Sequence, residues 1–410
     1  MTRVLLLLPT STYRAEDFLQ AAAALGVEVV VASERRQALA GLMGERALTV
    51  PLRRPDQAAE KIVELAGRVG IDAVVAVDDQ GVLVAAKAAS RLGLPHNPPE
   101  AVAATRDKAL MRRALGSAGV PQPEFRLVST DEQVAAAVAA IGPPVVVKPV
   151  SLSGSRGVIR ADSVAGAIDA ARWVRKILAE AGEDAGSPVL VERFVPGAEV
   201  AVEALLRGGQ LEVLATFDKP DPLDGPYFEE TIYVTPSRLP AEQLRRAHEA
   251  TAAAAAGLGL VEGPVHAELR VGAGGVWVLE LAARSIGGLC ARVLRFGAGL
   301  SLEQVILRHA LGLPLEDLER EDKAAGVMML PIRQEGVLRE VRGLADARAV
   351  PGIAGLELTI RPGRPVRPLP EGDRYLGFLF ARGDSAAQVE HALRAAHSLL
   401  HVEVEPCASS

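Results

Sequence analysis

Residues 3–8, RVLLLL, form an unbroken apolar run, the pattern of a strand buried on both faces. After a Pro-Thr-Ser-Thr loop, Phe18, Leu19, Ala22 and Leu25 recur at helical spacing and predict a helix with one apolar face. Residues 27–32 read as a second strand. Ile62, Leu65 and Val69 place a helix over 55–69, which leads into a strand at 71–77. Such strand–helix alternation predicts a parallel α/β layer. Asp78 and Asp79 follow the carboxyl end of a strand, where open α/β sheets bind ligands. A turn with a helix N-cap is the commoner use of such residues, and the ligand reading is preferred only if the site falls nearby.

LGLPHNPP separates this unit from the next. A helix around 106–115 carries Lys108, and Pro121 and Pro123 punctuate its exit. Thr130 with Gln133 predicts a capping box for an Ala-rich helix over 131–141. PPVVVKPVSLSGSRGVIRA then reads as a strand ending at Lys148, a small-residue loop and a returning strand. Ser153, Gly154, Ser155 and Gly157 leave backbone N–H groups free to wrap phosphate oxygens, and Arg156 adds charge. Only seven of the 45 basic side chains are lysines, so a retained lysine suggests that a compact ammonium is wanted. A helix at 163–181 precedes two strands around Pro196-Gly197. DKPDPLDGPYFEE holds too many Pro, Gly and Asp for regular structure and is long enough for a lid or substrate loop.

The stretch HAELRV-GAGG-VWVLELAARSIGG predicts a β-hairpin. With a three-residue loop, Ala273-Gly274-Gly275, Glu268 lies opposite Glu280, and His266 and Arg270 share that face. Leu269, Val271, Trp277, Leu279 and Leu281 then belong to the core face. A four-residue loop would separate the two glutamates. Facing carboxylates ~5 Å apart repel by about 3 kcal/mol at an effective dielectric of ~20, so the pair asks for a cation. Oxygen-only ligands favour Mg²⁺ or Mn²⁺ over zinc. Arg284, four residues after Glu280, is placed to clamp an anion. On the hairpin alone, a metal pair and a solvated strand face weigh equally.

Helices are predicted at 289–296 and 301–312. From about 323, apolar strands separated by Gly and Pro, a helix at 385–399 and a last strand HVEVE predict a separate α+β lobe with a Pro/Arg loop, RPGRPVRPLP. At 410 residues the chain needs two to four subdomains. With a net charge of −6 and scattered basic residues there is no nucleic-acid stripe. No apolar run reaches membrane-spanning length, and the opening MTRVLLLLP is too short for a signal peptide. The two cysteines, Cys290 and Cys407, have no metal spacing and fit a reducing compartment, although sequence leaves a bridge open. A cytoplasmic protein is expected. Neither GxGxxG after the first strand nor GxxxxGK[ST] occurs, which disfavours a dinucleotide oxidoreductase and an ordinary P-loop.

Five elements in order, RDKALMR, VVVKP with SGSRGV, VLVERFVPGAEV, HAEL and ELAARSIGG, resemble the ATP-grasp superfamily, in the carboxylate–amine ligase branch that includes the L-amino acid ligases. The resemblance spans essentially the whole chain. It implies an α/β and α+β fold: a Rossmann-like parallel domain at 1–100, a two-part ATP-grasp domain with antiparallel sheets at 101–186 and 187–312, and a C-terminal α+β lobe at 313–410. It implies that Lys108 and Lys148 contact the nucleotide phosphates, with Lys148 also catalytic, and that Ser153, Gly154, Ser155, Arg156 and Gly157 cover them. Glu192 is implied as the adenine-side hinge acid, Phe194 and Val195 as base neighbours, and Glu199 as the ribose acid. Glu268 and Glu280 are implied as metal ligands, and Arg284 as the catalytic arginine that stabilises an acyl phosphate. Asp79 falls where those ligases often have a Glu near the substrate amino group, and His266 resembles a His preceding the first metal ligand. Ala282 departs from the Asn that many members carry, leaving one fewer metal ligand.

The resemblance implies ATP and Mg²⁺ (or Mn²⁺) as cofactors, small carboxylate and amine substrates, and an ADP-forming reaction through an acyl phosphate. Partners are not expected to include nucleic acid or membrane, and a homodimer is left open. Competing readings are a purine-biosynthesis-type ATP-grasp carboxylase or ligase, for which no extra phosphate-binding basic cluster is seen in the first domain, and a nucleotide-binding regulator without chemistry, against which both metal glutamates and Arg284 argue.

Overall fold

The computed structural model describes residues 2–37 and 40–406. The first apolar run forms Arg3–Leu7, inside a four-stranded parallel sheet between Glu28–Ser33 and Ala73–Ala76. Leu5, Leu6 and Leu7 are fully buried because helices cover both faces, which is why the run shows no alternation. The helix Ala15–Ala24 buries Phe18, Ala21 and Ala22, whereas Leu19 faces solvent. Pro55–Val69 fills the predicted span and buries Ile62 and Leu65. After Ala73–Ala76, Asp78 caps the helix Asp79–Leu92 by accepting a hydrogen bond from the Asp79 N–H at 2.7 Å.

A second unit is a four-stranded antiparallel sheet in the order Phe125–Val128, Val189–Arg193, Val145–Pro149, Ile159–Ala161. The helices Asp131–Ile141 and Val164–Glu180 back it. The Thr130 hydroxyl accepts from the Gln133 N–H, while the Gln133 side chain accepts from Ser129, one residue short of a reciprocal box. The helix expected over 106–115 is Lys108–Ser117, and a further helix, Pro99–Arg106, precedes it. Asp107 separates them and caps Lys108–Ser117 through the Ala109 and Leu110 N–H groups.

The third unit is an eight-stranded antiparallel sheet running Gly275–Ala282, Gly263–Gly272, Ala198–Arg207, Gln210–Lys219, Ile232–Thr235, Ala324–Leu330, Gly377–Gly383, Ile353–Leu358. The sequence predicts a separate lobe from 323. Ala324–Leu330 pairs directly with Ile232–Thr235, and Gly377–Gly383 and Ile353–Leu358 extend the same sheet, while Gly336–Arg342, Pro365–Val366 and His401–Glu405 form a three-stranded antiparallel sheet of their own. The helix expected at 289–296 is only a 3₁₀ turn, Cys290–Val293, inside the largest buried cluster. Cys290 is buried with its sulfur 3.5 Å from that of Met329, while Cys407 lies outside the described residues. Among the described residues no helix is long and apolar enough to cross a membrane.

Candidate active site

A cleft of about 1060 Å³ opens between the two antiparallel sheets and reaches the carboxyl end of the parallel one. Lys108, Lys148, Ser153, Gly154, Ser155, Arg156, Glu192, Phe194, Val195, Glu199, His266, Glu268, Glu280, Arg284 and Asp79 all line it. Of the site residues expected from sequence, Gly157 is the exception. Its N–H donates to the Pro370 carbonyl at 2.9 Å and so is not free to hold a phosphate. Ser155 is, among the described residues, the one non-glycine residue in the left-handed region (φ 56°), which turns the loop between Gly154 and Gly157.

The hairpin places its glutamates as expected, by a different route. The loop is two residues, since Gly272 pairs with Gly275, and an even loop alone would put Glu268 and Glu280 on opposite faces. A β-bulge between Glu268 and Leu269 inserts one residue on the partner strand and restores the pair Glu268↔Glu280. The bulge also corrects the core face. Val276 and Val278 are buried with Leu269, Val271 and Leu281, whereas Trp277 pairs with Arg270 and Leu279 lines the cleft. The Leu279 carbonyl, displaced by the bulge, accepts from Arg112 Nη2 at 2.6 Å.

The cleft is a set of matched charges. Lys148 Nζ lies 2.6 Å from Glu192, whose other oxygen takes Arg112 Nε at 2.6 Å. Lys108 Nζ stands 3.2 Å from Glu280 and donates to the Leu152 carbonyl, tying the root of the glycine-rich loop to the strand that carries Glu280. Lys219 is one of the site residues that the sequence reading missed, with Glu230, Arg106 and Arg112. Its ammonium sits 2.8 Å from Glu199, 2.5 Å from Glu230 and 3.4 Å from Glu268, and those three acids offer oxygens that converge as a metal site would require. It is one of the seven lysines, so the scarcity of lysine already marked it. Burial lowers the Lys219 pKa, but the three carboxylates outweigh it and hold the group charged. Burial likewise raises the Glu268 carboxyl, but Lys219 and His266 drive it well below the usual range. His266 bridges Glu203 and, at 3.4 Å, Glu268. Burial lowers its pKa, and the attraction of Glu203 overrides this to bring it to about 9. Glu280, which is not in the convergent trio, is reached through Lys108 instead.

Arg284 Nη2 donates to Asp79 at 2.9 Å, and Arg106 stands 3.2 Å from the other oxygen. Asp79 is therefore an arginine holder, and the cap of its helix is Asp78. Burial raises the Asp79 carboxyl, but Arg284 and Arg106 pull it well below the ordinary carboxylate range. The Arg284 Nε is buried without a partner, so one donor of this guanidinium is unspent.

Glu192 yields a pH prediction. Burial raises its pKa, but Arg112 and Lys148 lower it to about 2 from 4.5. A depressed folded pKa gives stability that is full above pH 4.5 and lost as pH falls towards about 2. The contribution is on the order of 3 kcal/mol. The melting temperature of Glu192→Gln should therefore change less than that of the native protein between about pH 5 and about pH 3. Equal slopes for the two proteins would remove Glu192 from the acid-sensitive groups.

Comparison with known proteins bears on the family and the fold. The ATP-grasp domain family matches residues 141–293, the ATP-grasp N-terminal domain 19–96, and the L-amino acid ligase C-terminal domain 2 residues 328–405. The chain is 31% identical over 233 residues to a D-alanine–D-alanine ligase of Gloeobacter violaceus, covering 53% of this chain and 72% of that protein. It is 29% identical over 269 residues to an alanine–anticapsin ligase of Bacillus subtilis, covering 62% and 56%. The fold matches a crystal structure of an L-amino acid ligase from Bacillus licheniformis with a TM-score of 0.79 over 99% of both chains, at 24% identity. The chain belongs to the ATP-grasp superfamily and carries the C-terminal domain type of L-amino acid ligases. It spans between about half and two thirds of the length of the first curated relatives that it matches.

Proposed function

We propose that the protein is an ATP-dependent, ADP-forming carboxylate–amine ligase that activates an amino acid carboxylate as an acyl phosphate and joins it to an amine or a second amino acid. The observation that carries this reading is that carboxylate-held lysines and Arg284, held by Asp79, line one cleft. The chain then divides into a substrate-side unit at 1–100, a phosphate-covering unit at 101–186, a metal-side unit at 187–312 and a C-terminal segment at 313–410.

Val146, Phe194, Val195 and Leu279 make an apolar slot for the base, and Glu199 lies where ribose hydroxyls would be held. The N–H groups of Ser153 to Arg156 would hold the phosphates. Lys108, Lys148 and Lys219 exchange their carboxylate partners for phosphate oxygens when the nucleotide enters, which frees the acids they hold. An all-oxygen donor set of paired, partly exposed carboxylates fits a hard cation, and Glu268 and Glu280 would hold Mg²⁺ or Mn²⁺, with Glu230 within reach. Such an ion, when bound, neutralises phosphate charge. With the γ-phosphate fixed, a substrate carboxylate oxygen attacks the γ-phosphorus, and the bond from phosphorus to the β-bridging oxygen breaks to release ADP. The amine nitrogen then attacks the acyl carbon, the bond to the phosphate oxygen breaks, and the amine proton passes to the departing phosphate. Arg284 holds the carboxylate in line and bears the charge of the tetrahedral species.

The test is ADP and phosphate release with Mg²⁺ and ATP over amino acids offered singly and in pairs, with product masses recorded. Release that depends on an amino acid and matches amide product one for one is expected. If ATP binds but no amino acid stimulates release, the reading fails. Stimulation by bicarbonate with an amino-ribonucleotide would favour the purine-type reaction instead.

A further inference from the structure

The Pro/Arg loop of the C-terminal segment is fastened to the unit that covers the phosphates. The Pro370 carbonyl accepts the N–H of Gly157, the last residue of the glycine-rich loop, at 2.9 Å. Glu371 accepts the Trp173 indole N–H at 2.5 Å, and Arg367 pairs with Glu180 at 2.7 Å. Trp173 and Glu180 lie on the helix Val164–Glu180 behind that loop. The segment has a firm base: the Leu376 N–H donates to the Leu330 carbonyl at 3.0 Å, and the Tyr375 carbonyl accepts from Thr359 at 2.7 Å. Between anchor and contact, Asp373, Arg374 and Tyr375 line the cleft. Trp173 also meets Tyr227 edge-on at 5.9 Å, beside the strand bridge from Ile159 to Tyr227.

We infer that residues 367–375 are a latch, and that Pro370, Glu371 and Arg367 are positioning residues which hold the glycine-rich loop over the nucleotide; this rests on the ligase reading above. The contacts suit a part that must release in every turnover. The Arg367 and Glu180 side chains are 37% and 33% exposed, and ion pairs of that exposure are individually weak. The Gly157 bond is different in kind, because it takes a donor out of the phosphate-binding set and uses it to fix the loop's end. The same nine-residue stretch therefore touches both the phosphate cover and the wall of the substrate pocket. Its function follows from the chemistry of an acyl phosphate: water that reaches the acyl carbon releases phosphate and returns the original carboxylate. A latch that closes cover and pocket together excludes that water.

The experiment compares phosphate released per amide bond formed in the native protein, Trp173→Phe, Glu371→Ala and Glu371→Gln. Gln keeps an acceptor for the indole and serves as the rescue. Trp173→Phe and Glu371→Ala should raise that ratio roughly fivefold, with Glu371→Gln near the native value and all melting temperatures close to native. An unchanged ratio in both overturns the latch. A second measurement needs no amino acid and separates this failure from failure of the ligase reading. Of the two tryptophans, Trp277→Phe removes the hairpin one and leaves Trp173 as the sole reporter. Its emission should change on adding Mg²⁺ with ADP or a non-hydrolysable ATP analogue, and Glu371→Ala in the same background should weaken the nucleotide roughly threefold or more. A silent Trp173, or unaltered affinity, overturns the latch even if no amide product is ever found.

Discussion

Glu268→Gln is expected to lower ATP-dependent turnover by roughly 10²- to 10³-fold while the chain keeps its fold, and Glu280→Gln should do the same. The two side chains face each other across the hairpin and remain 24% and 33% exposed, so neither anchors the core. Each rests on an ammonium, Glu268 on Lys219 and Glu280 on Lys108, and on the proposed function phosphate oxygens would draw those ammoniums away. An amide keeps shape and hydrogen bonding but removes the charge a hard cation needs. A thermal readout accompanies the kinetics. Mg²⁺ with a non-hydrolysable ATP analogue should raise the melting temperature of the native protein by mass action, and that rise should shrink in both variants. If either variant forms ADP at a near-native rate, its glutamate is not a metal ligand.

The hairpin also shows how far residue patterns reach. A reading from Ala273-Gly274-Gly275 as loop puts Glu268 opposite Glu280, and the structure has that pair. The reasoning to it fails, because the loop is even and a bulge corrects the register. A bulge leaves no mark in a period-two pattern until its displaced carbonyl has a partner, and that partner, Arg112, is 167 residues away. Trp277 and Leu279 were placed on the wrong face for the same reason. Local signals did better: the unbroken run at 3–8, the helix at 55–69 and the glycine-punctuated strands each follow from short-range chemistry. What fails is the choice of which edge pairs with which. Nothing in the apolar run of Ala324–Leu330 says that it joins Ile232–Thr235, so the part of the C-terminal segment that continues the large sheet cannot be told from the part that forms its own three-stranded sheet. Lys219 and Glu230 were missed because an irregular Pro-rich loop joins them, and only folding brings them to Glu199 and Glu268.

Asp79 tests how the substrate end is built. Position alone suggests an acid that receives a substrate ammonium, since Asp79 follows the end of a parallel strand. In the fold both of its oxygens are occupied, by Arg284 at 2.9 Å and Arg106 at 3.2 Å, and Arg284 reaches it from 205 residues away. Asp79→Asn keeps the shape and removes the charge that centres the two guanidiniums. Truncating one partner of a buried charged pair commonly costs ~2–5 kcal/mol, so a misaimed Arg284 should lower kcat roughly 30-fold or more. If Arg284 aligns the carboxylate and bears charge chiefly in the transition state, as proposed above, kcat should fall further than the Michaelis constants for ATP and amino acid rise. Direct recognition of an ammonium predicts the reverse: a raised Michaelis constant for the amino acid with kcat kept. A purely structural part predicts a lowered melting temperature with both kinetic constants near native, and helix capping predicts little at all, because Asp78 is the cap. Steady-state kinetics in both substrates with a melting curve on the one variant distinguish these outcomes. A kcat within threefold or so of native would end the idea that Asp79 aims Arg284.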